Sequence, residues 1–113
     1  MSVRTRHEKY GEIAVIHAPE RLRADESGEF RQTLKEIVDQ GINRLVVDLS
    51  ETTAMDSSGL GALVSRIAVT RQNGGDVRLA GCNETVNSLL AITHLDQVFE
   101  SFDDVKEAVE SFS

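Results

Sequence analysis

Tryptophan is absent from this 113-residue chain, and its other aromatics are four Phe and one Tyr, so any core must be aliphatic. There is one cysteine, Cys82, which excludes an intrachain disulfide and fits a reducing compartment such as the cytosol. No apolar run approaches the about 18 residues of a membrane-spanning helix. The opening MSVRTRHEKYGE lacks the apolar core of a secretory signal, and the expected location is cytoplasmic. Basic residues are also scarce: 12 Lys and Arg face 19 Asp and Glu, a net charge of −7. That balance argues against nucleic acid, whose phosphates need a basic patch, and against an anionic membrane surface. Basic residues gather only at Arg4, Arg6 and Lys9 and at Arg21 and Arg23, which read as solvated positions. No Cys–His cluster has metal-ligand spacing. Gly59-x-Gly61 is not followed by the Lys-Ser or Lys-Thr of a phosphate loop, so neither metal nor cofactor is indicated.

What is present is a regular alternation of apolar patterns, in a length that suits one domain over residues 1–113. Ser2 to Lys9 alternates weakly as an edge strand. Tyr10-Gly11-Glu12 reads as a turn, and Ile13 to Ile16 as a buried strand. Ala18 to Ala24 is a loop holding the sole proline. Phe30, Leu34, Ile37 and Val38 then recur at helical spacing, with Asp25 or Ser27 as N-cap and Gly41 after the end. Leu45 to Leu49 is a central strand. Leu60, Leu63, Val64, Ile67 and Ala68 form the stripe of a second helix that Asn73-Gly74-Gly75 stops. Val77 to Ala80 is a strand. Asn83 or Glu84 opens a third helix through Val86, Leu89 and Leu90. Val98-Phe99 is a short strand, and Asp103 caps a last helix through Val105, Ala108, Val109 and Phe112. The order ββαβαβαβα implies an α/β fold with right-handed crossovers and a largely parallel sheet.

One stretch asks for more than a structural reading: Ala54-Met55-Asp56-Ser57-Ser58-Gly59-Leu60-Gly61. An acid and two hydroxyls precede two glycines at the start of a helical pattern, close to Asp48 at the end of the central strand. Asp56 or Ser57 suits the N-cap. Two glycines in one turn cost about 1 kcal/mol each against alanine, so close packing or close docking must compensate them. The bland reading is a capped helix packed tightly on a sheet. The functional reading is a seryl hydroxyl presented at a helix N-terminus. There an added phosphate would be favoured by roughly 0.3–1 kcal/mol through the helix dipole.

Leu45-Val46-Val47-Asp48-Leu49-Ser50 followed by Met55-Asp56-Ser57-Ser58-Gly59-Leu60-Gly61 resembles the signature of STAS domains, and more narrowly of the single-domain anti-sigma factor antagonists of bacteria. The resemblance extends through Gly74-Gly75-Asp76, Val77 to Gly81, and Leu90 through Leu95-Asp96-Gln97-Val98-Phe99. It implies a STAS-type αβ sandwich with a mixed, mostly parallel sheet of about five strands and about four helices. It also implies a partner switch without enzymatic activity of its own. The unmodified antagonist binds an anti-sigma factor, a kinase of the histidine-kinase-like ATPase fold, and the sigma factor is freed. Phosphorylation of Ser57 by that kinase ends the complex, and a serine phosphatase resets it. Asp56, Ser57, Ser58, Gly59, Leu60 and Arg23 are the implied partner-binding residues. Arg23 stands where the family usually has an acid, and Thr52 and Ala54 stand where it favours bulky apolar residues. The first departure bears on which partner is bound and how readily the serine is phosphorylated; the second predicts a looser segment leading into Asp56.

Two other classes compete. A hydrolase needs an activated nucleophile, yet His7, His17 and His94 are all distant from Ser57 in sequence. His94 reads as the end of the third helix and Cys82 as a semi-buried small residue. An accessory or scaffold subunit of a transporter or signalling complex would use the same surface without phosphorylation.

Overall fold

Three short, mainly apolar strands make the buried centre of the sheet. They are β2 (Gly11–His17), β4 (Arg44–Asp48) and β6 (Asp76–Ala80). The computed structural model describes residues 2–8 and 11–113. β1 (Ser2–Glu8) and β7 (Ser101–Phe102) form the edges, in the order β1-β2-β4-β6-β7. β1 runs antiparallel to β2, and every other pair is parallel, in registers such as Val15↔Val46↔Arg78.

Side-chain alternation along the strands sorts the core into two layers. Ala14, Ile16, Leu45, Val47, Val77 and Leu79 face the larger layer. Phe30 and Leu34 of α1 (Ala24–Asp39), Leu60 and Leu63 of α2 (Ser57–Val64), Ile67 of α3 (Ile67–Gln72) and Val86 and Leu90 of α4 (Glu84–Ile92) fill it. Ile13, Val15, Val46 and Ala80 face the other way, toward Ala108 and Val109 of α5 (Val105–Glu110). Arg78 fastens that helix: its guanidinium lies 4.1 Å from the centre of the Phe112 ring and donates to Ser111 Oγ at 2.7 Å.

The parallel strands always advance in one direction, so right-handed crossovers put α1 to α4 on one face. Among the described strands the order does not reverse, so the sheet lacks the topological switch point that doubly wound folds use for nucleotides.

The expected mixed α/β architecture with five strands is what is found; several local expectations are not. α1 begins at Ala24 with Arg23 as N-cap, in place of Asp25 or Ser27. The second helix breaks into α2 and α3, because the Ser65 hydroxyl and N–H both bond the Ala62 carbonyl and Arg66 leaves helical geometry. Ala68 is exposed, and Thr70 takes the inner position, its hydroxyl donating to the Arg66 and Ile67 carbonyls. Val98-Phe99 is not a strand. A 3₁₀ turn at Leu95–Gln97 plugs Phe99 into the larger layer, and the strand comes at Ser101–Phe102. The last helix is capped by Asp104, whose carboxylate accepts from the Glu107 N–H at 2.8 Å; Asp103 lies one residue outside. Of the expected turn, Tyr10 lies outside the described residues, while Gly11 and Glu12 belong to β2.

Candidate functional site

The loops leaving β2 and β4 carry the residues of interest, and the sequence ties them together at several points. At the strand ends, His17 Nδ1 lies 2.8 Å from Asp48 Oδ2, and Asp48 Oδ1 accepts from the Ser50 N–H at 3.0 Å. Burial alone would raise the Asp48 carboxyl. The bonds from Ser50 and His17 outweigh it and hold the group below the usual carboxylate value. Further out, the Thr52 hydroxyl donates to the Pro19 carbonyl at 2.8 Å, and the Thr53 N–H to the Glu20 carbonyl at 2.8 Å. Two two-residue strands follow, β3 (Arg21–Leu22) and β5 (Ala54–Met55), paired in parallel as a separate small sheet.

This arrangement corrects the expectation of a loosened segment. Thr52 is fully buried with its hydroxyl satisfied, and its carbonyl accepts from Asn83 Nδ2 at 2.6 Å. An apolar side chain would fill the space but leave the Pro19 carbonyl without that donor.

The loops deliver two helix N-termini side by side. Asp56 is the N-cap of α2; its Oδ1 accepts from the Ser58 N–H at 2.9 Å and the Gly59 N–H at 3.2 Å. Its other oxygen, Oδ2, accepts from the Ala24 N–H at 3.2 Å, in the first turn of α1. Arg23, the N-cap of α1, has no side-chain acceptor to offer. Its backbone N–H donates to the Glu26 carboxylate instead, at 3.1 Å. One carboxylate therefore serves both helices.

Gly59, in the first turn of α2, lies against the β3–β5 pair. A Cβ there would stand 2.2 Å from the Leu22 carbonyl oxygen and 2.9 Å from Met55 Cγ, so only glycine fits. Gly61 is different: its Cβ would meet only the end of the Arg31 side chain, at 3.1 Å.

The expected site residues thus separate. Ser57 is exposed at the first position of α2, Ser58 and Asp56 are half-buried, and Arg23 is exposed across a shallow cleft of about 220 Å³ that it lines with Arg21, Glu26 and Asp56. Gly59 is buried. Leu60 is only 4% exposed and packs into the core, so it presents no side chain to a partner, contrary to expectation. Nor do the hydroxyls cap α2; the carboxylate does, since it can accept two N–H groups at once. The contributions of Thr52 and Asn83 were not anticipated, because they depend on contacts between distant loops. Asn83 shows only its local duty in the sequence, accepting from the Val86 N–H at 3.0 Å.

Among the described residues no histidine is hydrogen-bonded to Ser57. His17 is engaged by Asp48, His7 lies on β1, and His94 follows α4 with a left-handed φ of 61°. Cys82 is half-buried, and burial pushes its thiol up. No group of three or more metal-ligating side chains is found among the described residues, and no described helix is long and apolar enough to cross a membrane.

Residues 4–108 match the STAS domain family. The anti-sigma-B factor antagonist of Bacillus subtilis is 30% identical over 90 residues, spanning 80% of this chain and 73% of that protein. A crystal structure from Thermotoga maritima, provisionally described as an anti-sigma factor antagonist, aligns with a TM-score of 0.83 at 24% identity, covering 96% of this chain and 92% of that one. The Bacillus cell fate determinant SpoIIAA, solved in its phosphorylated form, aligns with a TM-score of 0.69 at 15% identity, covering 99% and 100% of the two chains.

Proposed function

This chain belongs to the STAS domain family, and from that premise we propose that it is an anti-sigma factor antagonist switched by phosphorylation of Ser57. In the unmodified state it binds a kinase-type anti-sigma factor of the histidine-kinase-like ATPase fold, and the sigma factor is released. The kinase transfers a phosphoryl group to the Ser57 hydroxyl, the complex separates, and a serine phosphatase restores the hydroxyl. Asp56, Ser58 and Arg23 frame the contact surface.

One observation carries the reading: Ser57 is exposed at the head of α2 while Asp56, not the hydroxyl, does the capping. The oxygen that receives the phosphate has no structural duty to give up. A phosphate adds about −1.5 to −2 charges. In solvent at a helix N-terminus the fold tolerates that charge. Buried in an interface without a cationic partner it costs several kcal/mol, and each 1.4 kcal/mol is about tenfold in affinity. The switch therefore acts on binding and leaves the fold in place. The names of the relatives support the antagonist role, and a neighbour solved in a phosphorylated form supports a fold that accepts this modification.

The test is affinity capture from host lysate with ATP, using wild type, Ser57→Ala and Ser57→Asp as baits. The expected result is a kinase-like ATPase recovered with the alanine form and lost with the aspartate form. Equal recovery of the same transporter or scaffold proteins by all three baits would assign the chain as an accessory subunit instead.

A further inference from the structure

The two ends of the main sheet carry opposite charge on the same face, and we infer that this chain associates with further copies of itself by sheet extension, the β1 edge of one copy docking at the β7–α5 edge of the next. β1 is the outermost strand, seven residues long, with nothing paired to its outer side among the described residues. Arg4 lies opposite Val15 and Arg6 opposite Ile13. Directly opposed residues of an antiparallel pair point to one face. Val15 and Ile13 belong to the layer beneath α5, so both arginines stand on the α5 side of the sheet. Neither forms an ion pair among the described residues.

At the opposite edge, β7 and α5 border an open groove of about 550 Å³, lined by Ser101, Phe102, Asp103, Glu107 and Glu110. None of its three acids is in an ion pair among the described residues. In a chain of net charge −7, an unpaired arginine pair at one edge and an acidic groove at the other is a polar arrangement along the sheet.

Topology makes the two ends compatible. β1 runs opposite to every other strand of the sheet, so a second copy displaced along the sheet without being turned over brings its β7 antiparallel to β1. The same displacement keeps the α5 faces on one side, so Arg4 and Arg6 stand on the face that carries the neighbour's Asp103, Glu107 and Glu110. The contact is heterologous, so it does not close on a dimer; it propagates. Neither edge carries Ser57.

Sedimentation velocity on the full chain, across a wide concentration range at low and high salt, tests this. The expected result is a mass that rises with concentration beyond a dimer and falls toward the monomer at high salt, since exposed charge pairs are screened. Two charge-reversed forms sharpen it: Arg4→Glu with Arg6→Glu, and Asp103→Lys with Glu110→Lys. Each form alone should associate about tenfold more weakly or less still. An equimolar mixture should regain association, because each altered edge then meets an edge of opposite charge. Far-ultraviolet circular dichroism checks that both remain folded. A wild type that stays monomeric, one that stops at a dimer, or a mixture no more associated than its parts would overturn the inference.

Discussion

Two helices begin within hydrogen-bonding distance of one carboxylate, and they begin in different ways. α2 starts on an aspartate that accepts two of its own N–H groups. α1 starts on an arginine that accepts nothing through its side chain and relies on Glu26 and on the neighbouring helix's Asp56. The contrast shows where rigidity is placed. The motif's acid is structural twice over, its buried glycine lets α2 sit against the β3–β5 pair, and the exposed serine between them takes no part in either duty.

The strongest way to break the comparison is to push the start of α2 off the β3–β5 pair. Gly59→Ala should cost about 1–3 kcal/mol in urea unfolding, since backbone and Met55 both crowd the new methyl group. Gly61→Ala, two residues on, should be near neutral or up to about 1 kcal/mol stabilising, because only a flexible arginine end must move. Equal effects at the two glycines would refute the close approach.

Removing the shared carboxylate comes next. Asp56→Ala should destabilise by about 1–2 kcal/mol, more than Asp104→Ala, which releases the cap of α5 alone. Hydrogen exchange should speed up at Ala24 as well as at Ser58 and Gly59. Protection unchanged at Ala24 would show that α1 does not depend on Asp56. Thr52→Val should cost about 1 kcal/mol by leaving the Pro19 carbonyl without its donor.

A subtler probe is pH. The folded Asp48 carboxyl is lowered, so its contribution to stability is complete above the ordinary carboxylate range and disappears as pH falls through the lower folded value. Asp48→Asn should flatten the acid side of the stability profile; an unaltered slope would remove Asp48 from the account. The smallest effect belongs to Ser57→Ala, within about 0.5 kcal/mol of wild type. A large loss there would mean that the hydroxyl is structural after all.

Much of this was legible along the chain. β2 and β4 hold continuous apolar runs, β6 is apolar apart from Asp76 and Arg78, and α1 has a clean helical stripe, so pattern alone locates the layers. The DSSGLG motif also marks its own helix start. The rest depends on contacts that no local pattern encodes. β3 and β5 hold two residues each and exist because distant loops meet. Phe99 looks like strand and is a loop residue filling the core. Leu60 is the exception: it sits inside the motif, and its place in the apolar stripe of the second helix already turns it inward. Thr52 looked like a weakness until the Pro19 carbonyl came within reach, and α1 can start on Arg23 because Glu26 and the distant Asp56 accept its first N–H groups.

The most direct test of the central claim is the affinity of the proposed kinase-type partner, once captured, for this chain in two forms, unmodified and carrying phosphoserine at position 57, measured by titration calorimetry. A switch separate from the fold predicts binding weakened by roughly a hundredfold or more, with both forms equally folded. Equal affinity for the two forms would contradict it.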